Sequence, residues 1–202
     1  MPSGTVPWSG YFGKIPSRGD FVAAGLPSPV VRAWDKVLSA GLAAAKATLA
    51  DQWPDVWLEA PVWRFALAAL QCAPESLLGL WMPSVDRAGR HFPLMIAASC
   101  PGAAVESMVR HGTGWLDAAE DAGRAAIADD LTPEQLTALI RPPPDFATTA
   151  DNGLPFDFPS GAEGGFWWTC GGPFVGAQGL FLDTMPDSAM FTRMLLGRGF
   201  AA

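Results

Sequence analysis

Three runs of apolar residues, separated by short connections, constrain the fold of this chain more than any other feature. They occupy residues 62–70, 77–82 and 92–98. Their connections of six and nine residues are too short to contain a crossover helix, so we expect the three runs to pair as antiparallel strands. Because the runs are apolar almost throughout rather than alternating, they predict a sheet that is covered on both faces.

Helices predicted elsewhere in the sequence are candidates to cover the two faces of this sheet. From Ser28 to Ala50, apolar residues recur at three-to-four spacing after a proline at the first helical position, which predicts an amphipathic helix. A second pattern covers residues 103–127, a short helix is expected to follow the cap residue Thr132, and a last helix spans 188–196.

Three more segments have strand character. One is the aromatic run 8–13 near the start, and the others are the runs 166–170 and 179–183 near the end. Together with the helices they predict an α/β fold, a three-layer α/β/α sandwich around a mixed, partly antiparallel central sheet.

The length of 202 residues fits one domain with a single well-buried core. We therefore expect residues 1–202 to form a single domain with three parts. These are a motif-rich part over 9–98, a long loop over 141–165, and C-terminal strands and a helix over 166–202. The loop is rich in residues typical of turns and has no hydrophobic period.

The charge balance and the apolar runs exclude several classes of partner. The formal net charge is -7 and only three residues are lysines. We expect no binding to nucleic acid, because phosphate contacts require clustered basic side chains. No apolar run approaches the length of a membrane span and no leader sequence is recognisable, so we expect a cytoplasmic location without membrane insertion.

Metal and cofactor sites have no support in the sequence. The three cysteines lie far apart, and His91 and His111 are the only histidines. Glycines in the C-terminal part match neither a phosphate-binding loop nor a dinucleotide fingerprint. We therefore expect no metal, no cofactor and no small-molecule substrate.

Charged side chains concentrate in two turn-rich segments, residues 14–20 and 84–91. We expect these segments to meet at one edge of the sheet and to interlock their Arg and Asp side chains. Such a cluster either holds the segments in place or forms a partner-binding surface. The ten candidate residues, including one from a helix and one from a strand, are Lys14, Ser17, Arg18, Asp20, Asp35, Arg64, Ser84, Asp86, Arg87 and Arg90.

Arg64 lies inside an apolar strand, where an unpaired charge is strongly unfavourable. Its expected ion-pair partner is Asp20, Asp35 or Asp86. Any of these pairs would tie the strand to the charged cluster.

The members of the cluster are expected to differ in role. Loss of stability is expected for Arg18→Ala and Asp86→Ala. Donors of Lys14, Arg87 and Arg90 are expected to face a partner, because arginine forks favour bidentate contacts. Arg87→Ala should then weaken partner binding and leave the fold intact.

An enzymatic alternative rests on the same segment. Ser84, Asp86 and His91 are the residue types of an acyl-transfer triad, but they crowd into eight residues without a G-x-S-x-G elbow. The alternative is a small hydrolase or nucleotide-dependent enzyme that uses the Ser84–His91 loop with Ser17 or Asp20. A deep pocket joining these side chains would favour the enzyme, and a shallow charged surface would favour a binding protein.

Aromatic side chains offer a second kind of binding surface. The chain has nine tryptophans, and most lie in strand or helix patterns typical of a core. Trp53, Trp57 and Phe156 lie in irregular segments instead. We expect these three to be partly exposed, as in a protein-binding face.

Four motifs in order resemble one protein family. They are G-Y-F-G-K-I-P-S-R-G-D-F at 10–21, A-W-D-K-V-L at 33–38, A-P-V-W-R-F-A-L at 60–67 and M-P-S-V-D-R-A-G-R-H-F-P-L at 82–94. Together with F-W-W-T at 166–169, these motifs resemble the TagF family, also called ImpM, of bacterial proteins associated with type VI secretion.

The resemblance implies a function as well as an α/β/α fold. A TagF-like chain would be a cytoplasmic, non-enzymatic accessory protein that restrains the secretion machine after translation. Its implied partner is Fha, the forkhead-associated scaffold protein of that system. The resemblance implies no catalytic residues, and no family motif is recognised between Pro142 and Gly165.

Overall fold

The computed structural model describes residues 6–146, 148–153, 158 and 164–197. This part of the chain contains seven strands and six α-helices. The strands are β1 (Ser9–Gly13), β2 (Val22–Ala24), β3 (Trp63–Leu67), β4 (Leu77–Met82), β5 (Leu94–Ser99), β6 (Gly165–Thr169) and β7 (Gln178–Leu182). The helices are α1 (Ser28–Leu49), α2 (Trp53–Leu58), α3 (Val105–His111), α4 (Thr113–Ala128), α5 (Pro133–Leu139) and α6 (Ser188–Leu196).

The strands form one sheet in the order β2-β1-β5-β4-β3-β6-β7. The α/β class is confirmed, but the expected mixed sheet is wrong, because every pair of neighbours among the described strands is antiparallel. A single crossover helix would have returned the chain as a parallel neighbour. Instead, β6 follows the three helices α3, α4 and α5 and enters beside β3 in the opposite direction.

The three apolar runs form β3, β4 and β5, which are antiparallel neighbours as predicted. Trp63 pairs with Trp81 across β3 and β4, and Met82 pairs with Leu94 across β4 and β5. Every residue of β4 and β5 is buried. The centre of the sheet therefore has no face in contact with solvent.

Hydrophobic side chains pack on both faces of the sheet. One cluster joins α1, α2 and α6 to strand residues such as Phe65 and Met95. The other joins α3, α4 and α5 to strand residues such as Leu80 and Ile96. Because successive strand residues point to opposite faces, the neighbours Met95 and Ile96 fall in different clusters. This distribution fits a three-layer sandwich, which stays a prediction.

Several elements differ from the sequence-based expectation. The pattern over 103–127 divides into α3 and α4 at Gly112, where a Cβ would lie 2.5 Å from a methyl carbon of Leu78. The glycine thus allows close packing of the helix break on β4. Strand β2 and helix α2 were not expected. None of the described helices is both long enough and apolar enough to cross a bilayer.

Strands β1 and β4 end beside the first residue of β5. Gly13 and Met82 are both register partners of Leu94, so the segments after β1 and β4 leave the sheet at the same end. Gly13 has a φ of 145°, and a Cβ there would lie 2.0 Å from the Pro93 carbonyl oxygen. Only glycine tolerates this conformation and this close approach.

Candidate functional site

The two charged segments meet, as predicted, and we call residues 14–21 and 84–93 together the loop junction. The Arg87 backbone N–H donates a hydrogen bond of 2.9 Å to the Arg18 carbonyl. The Arg87 guanidinium donates a longer one, of 3.4 Å, to the Ser17 carbonyl. The junction lies at the strand ends of the sheet, where β1 and β4 finish.

Ser84 joins the two segments from the inside. Its buried hydroxyl donates to the Lys14 carbonyl at 2.8 Å. Its own carbonyl accepts hydrogen bonds from the Trp57 indole at 3.0 Å and from the Phe92 backbone at 3.1 Å. These bonds fix the backbone of both segments relative to α2.

Asp86 is the buried charge at the centre of the loop junction, with none of its side chain exposed. Its Oδ2 accepts from Lys14 Nζ at 2.8 Å and from Arg90 Nε at 2.7 Å. Its Oδ1 accepts from the backbone N–H groups of Ala88 and Arg90, each at 2.9 Å. Four donors therefore satisfy a carboxylate that is fully removed from water.

The surroundings of Asp86 favour its ionised form. Burial by itself raises the pKa of the carboxyl, but the hydrogen bonds from Lys14 and Arg90 outweigh burial and hold the pKa well below its usual range. The resulting stabilisation is fully present above about pH 4, the ordinary pKa of Asp in an unfolded chain. It is lost as the pH falls through the lowered pKa of the folded state.

Three arginines form the outer rim of the loop junction. Arg90 keeps 62% of its side chain exposed, although its Nη2 also donates to the Gly19 carbonyl. Arg87 is exposed, and its guanidinium makes a single hydrogen bond within the described residues. Arg18 is 46% exposed and lies 3.8 Å from the exposed carboxylate of Glu134.

Lys14 does not belong to this rim. Its residue is only 7% exposed and its ammonium is directed at Asp86, so the expectation that it faces a partner is wrong. Burial of Lys14 follows from the need to pair Asp86 inside the junction.

Phe21 adds an exposed aromatic ring that was not among the expected site residues. It is 50% exposed, stacks on Phe12 at 5.6 Å between ring centroids, and meets Phe92 edge-on at 4.7 Å. The Lys14 ammonium lies 5.1 Å from the centroid of the Phe21 ring. An aromatic residue directly after a charged turn is the sequence signal that would have indicated it.

Arg64 lies outside the loop junction. Its Nη2 donates to Asp117 and to Glu120, each at 2.8 Å, and both carboxylates belong to α4. The partners expected from the sequence were Asp20, Asp35 and Asp86, and that expectation is wrong. Asp117 and Glu120 stand three residues apart on one helix face, which is a signal that the sequence contained.

The two remaining acidic candidates, Asp35 and Asp20, lie in different parts of the molecule. Asp35 lies on α1, where its carboxylate accepts a hydrogen bond from Ser39 at 3.2 Å. Asp20 belongs to the loop junction and is exposed. The junction therefore brings together eight of the ten candidates and leaves Asp35 and Arg64 elsewhere.

The residues of the proposed triad are not arranged as one. The Ser84 hydroxyl donates to the Lys14 carbonyl instead of to an imidazole. The Nδ1 of His91 accepts a hydrogen bond from the Trp53 indole at 2.6 Å. Asp86 is engaged by its buried donors rather than by His91.

The tryptophans near this histidine are buried rather than exposed. Trp53 is 6% exposed and Trp57 is fully buried, so the expectation for these two is wrong. They stack on one another as part of α2 instead of lying in an irregular segment. Phe156, the third aromatic residue, lies outside the described residues.

Two surface cavities of the described residues lie away from the loop junction. One surface cavity of about 760 Å³ lies against residues 142–146, and another of about 610 Å³ lies against Pro61. Neither is lined by Ser84, Asp86 or His91. Across the part of the chain that the structure describes, no group of three or more His, Cys, Asp and Glu side chains is placed to hold a metal ion.

Comparison with protein families identifies the chain. Residues 10–142 match the family model of the TagF N-terminal domain, which is described as type VI secretion system-associated. The chain belongs to the TagF family. The matched segment contains the whole loop junction, and the resemblance of the four motifs is thereby confirmed.

A solved structure extends this similarity beyond the matched segment. The TagF-family chain is similar to PA0076 from Pseudomonas aeruginosa PAO1, known from a crystal structure, with 27% sequence identity and a TM-score of 0.74. The alignment covers 96% of each chain. A comparison with curated proteins found no match.

Proposed function

We propose that this TagF-family chain is a non-enzymatic accessory protein that restrains the type VI secretion system after translation. It acts in the cytoplasm by binding a protein component of the system, the forkhead-associated scaffold Fha. Membership of a secretion-associated family supports the connection with the secretion machine. The loop junction supports binding rather than catalysis.

The observation that carries this proposal is the division of charges within the loop junction. Inner charges are paired: Asp86 has four donors and is fully buried. Outer charges are exposed, as in Arg18 and Arg87. A surface with a rigid interior and exposed arginine forks is suited to docking a protein, because little conformational freedom is lost on binding.

The enzymatic alternative has weaker support. A nucleophile requires a base within hydrogen-bond reach, whereas Ser84 donates to a backbone carbonyl. A general base requires a free lone pair, whereas the Nδ1 of His91 is occupied by Trp53. The hydrolase or nucleotide-dependent enzyme is therefore the second choice.

We also propose that residues 1–202 form one domain, in which helices on both faces of the sheet complete a three-layer α/β/α sandwich. Within it, six of the ten candidate residues have one of two roles. Asp86, Lys14 and Ser84 hold the junction together, and the exposed arginines contact the partner.

Secretion measurements test the proposal. The chain is produced at raised levels in a bacterium with an active type VI system, and secreted substrates in the medium are compared with the same substrates inside the cells. We expect secretion to fall while intracellular levels stay unchanged, since the restraint acts after translation. Unchanged secretion at high levels of the chain, or no binding between purified chain and purified Fha, would contradict the proposal.

A further inference from the structure

We infer that the outer face of the loop junction binds an acidic segment of a protein partner that inserts one apolar side chain against Phe21. This inference rests on the proposed function and adds the chemistry of the partner. The contact residues would be Phe21 at the centre with Arg18, Arg87 and Arg90 around it.

Two of the three arginine side chains contact one short piece of backbone. The Arg87 guanidinium donates to the Ser17 carbonyl, and the Arg90 guanidinium donates to the Gly19 carbonyl. Arg18 stands between these two residues in the chain. The Arg87 and Arg90 guanidinium groups therefore lie over residues 17–19, and the Arg18 guanidinium lies 3.8 Å from the exposed carboxylate of Glu134.

Phe21 is joined to this group through buried contacts. Its ring lies over the Lys14 ammonium, which binds Asp86 at 2.8 Å, and Asp86 in turn binds Arg90 at 2.7 Å. The ring is held on one side by Phe12 and Phe92. A fixed, half-exposed aromatic ring in the same junction as exposed arginines has the composition typical of binding hot spots.

The charge of the surroundings favours a short acidic segment over an extended polyanion. The whole chain has a formal charge of -7, yet this face presents three guanidinium groups. At physiological salt, exposed charges are screened over about 8 Å, so a segment that stays on the face interacts mainly with the three arginines and with the two nearby acids Asp20 and Glu134. A nucleic acid or a membrane would extend beyond the face and meet the acidic remainder.

A peptide titration tests the inference with the purified full chain. The probe is a fluorescent synthetic peptide in which Asp and Glu residues flank one Phe, and its anisotropy is measured at low and at physiological ionic strength. The comparison probes are the same peptide with Asn and Gln in place of the acids, and a short single-stranded oligodeoxynucleotide. Arg141→Glu is the matched control, because Arg141 is exposed and its carbonyl contacts Ser9 at the opposite end of β1.

We expect the acidic peptide to bind the natural chain and to bind Arg87→Glu about tenfold more weakly, since a contact of opposite charge becomes repulsive. Phe21→Ala should also weaken binding, and Arg141→Glu should not. Asp20→Asn should strengthen it, because the exposed Asp20 carboxylate competes on the same segment. Thermal melts show whether each variant is folded.

Other results would overturn the inference. These are equal binding of the neutral peptide, preference for the oligonucleotide, equal weakening by Arg141→Glu, or no binding of the acidic peptide at low ionic strength. If the acidic peptide does not bind while the chain still binds Fha and restrains secretion, only the inference is contradicted. If the peptide binds but the chain does not lower secretion, the proposed function is contradicted instead.

Discussion

Asp86 carries the most deeply buried charge in the loop junction. It is charged and fully buried, and Lys14 is the buried cation that pairs with it. Removing one partner of a buried pair leaves the other charge without compensation, which is more unfavourable than never having buried the pair. The two residues come from segments 72 positions apart, so their pairing determines how those segments sit together.

Asp86→Ala is expected to lower the free energy of unfolding by about 3–5 kcal/mol, because Lys14 would remain buried without its counter-charge. Urea denaturation measures the change. The matched control is Asp20→Ala, an exposed carboxylate in the same junction that should change stability by no more than about 0.5 kcal/mol. Equal effects of the two substitutions would contradict the structural role of Asp86.

Arg18→Ala is expected to change stability by less than about 1 kcal/mol, because an exposed ion pair gains little in water. The sequence predicts a structural role for Arg18, but the junction uses its carbonyl, which alanine retains, rather than its side chain. The free energy of unfolding in urea checks this. A loss as large as that of Asp86→Ala would show that the guanidinium has a structural contact.

His91 is expected to titrate below its ordinary pKa of about 6.5 in an NMR titration of its imidazole. Burial lowers this pKa, and the positive charge of Lys46 lowers it further. The neutral ring therefore favours the folded state, so its contribution to stability is present above about pH 6.5 and is lost as the pH falls through the lowered pKa. The acceptor role of Nδ1 toward Trp53 fits the neutral form.

His91→Phe should remove this component from the pH dependence of stability, measured by urea denaturation at several pH values. A titration at or above the ordinary value would contradict the buried, neutral imidazole.

Among the helices and strands, those with a clear hydrophobic period or capping motif could be predicted from the sequence, and the short ones could not. The helix expected from Ser28 is α1, and the capping box of Thr132 and Gln135 begins α5. Strand β2 has three residues, too few to show a period. Helix α2 has six residues and begins with Trp53 and Pro54, which also fit a turn.

The partner of Arg64 shows a different limit of sequence reasoning. The need for a partner was predictable from burial in a strand, but its identity depends on which helix packs over β3. That choice is made by tertiary packing of α4, and the spacing of Asp117 and Glu120 shows a paired acidic face without showing which strand it covers. The loop junction was predictable because both of its segments carry dense turn and charge patterns next to apolar runs.

Helices α1 and α6 approach closely at a glycine. A Cβ at Gly41 would lie 2.4 Å from the Phe191 ring, and this ring is fully buried. Gly41→Ala is expected to lower stability by about 1–3 kcal/mol through overpacking. Gly114→Ala in α4 is the control, since nothing lies within 4 Å of its Cβ, and it should raise stability by up to about 1 kcal/mol.

Thermal or urea unfolding of the two glycine variants measures the difference. The same sign for both would contradict the close packing of α1 on α6.

At the scale of the whole molecule, an apolar antiparallel sheet positions a charged surface at the end of two strands. The chain is acidic overall, yet three exposed arginines lie on the loop junction, which also contains the half-exposed ring of Phe21. The buried pair beneath them fixes this face before any partner arrives. Membership of the TagF family connects the chain with type VI secretion.

The most direct test is a binding titration between the purified chain and purified Fha, with variants that change only the exposed rim. We predict that Arg18→Glu combined with Arg87→Glu weakens binding by at least about tenfold and leaves the melting temperature nearly unchanged, since rim charges act mainly on association. Arg141→Glu should bind as the natural chain does. Unaltered affinity of the double variant would contradict docking through the loop junction.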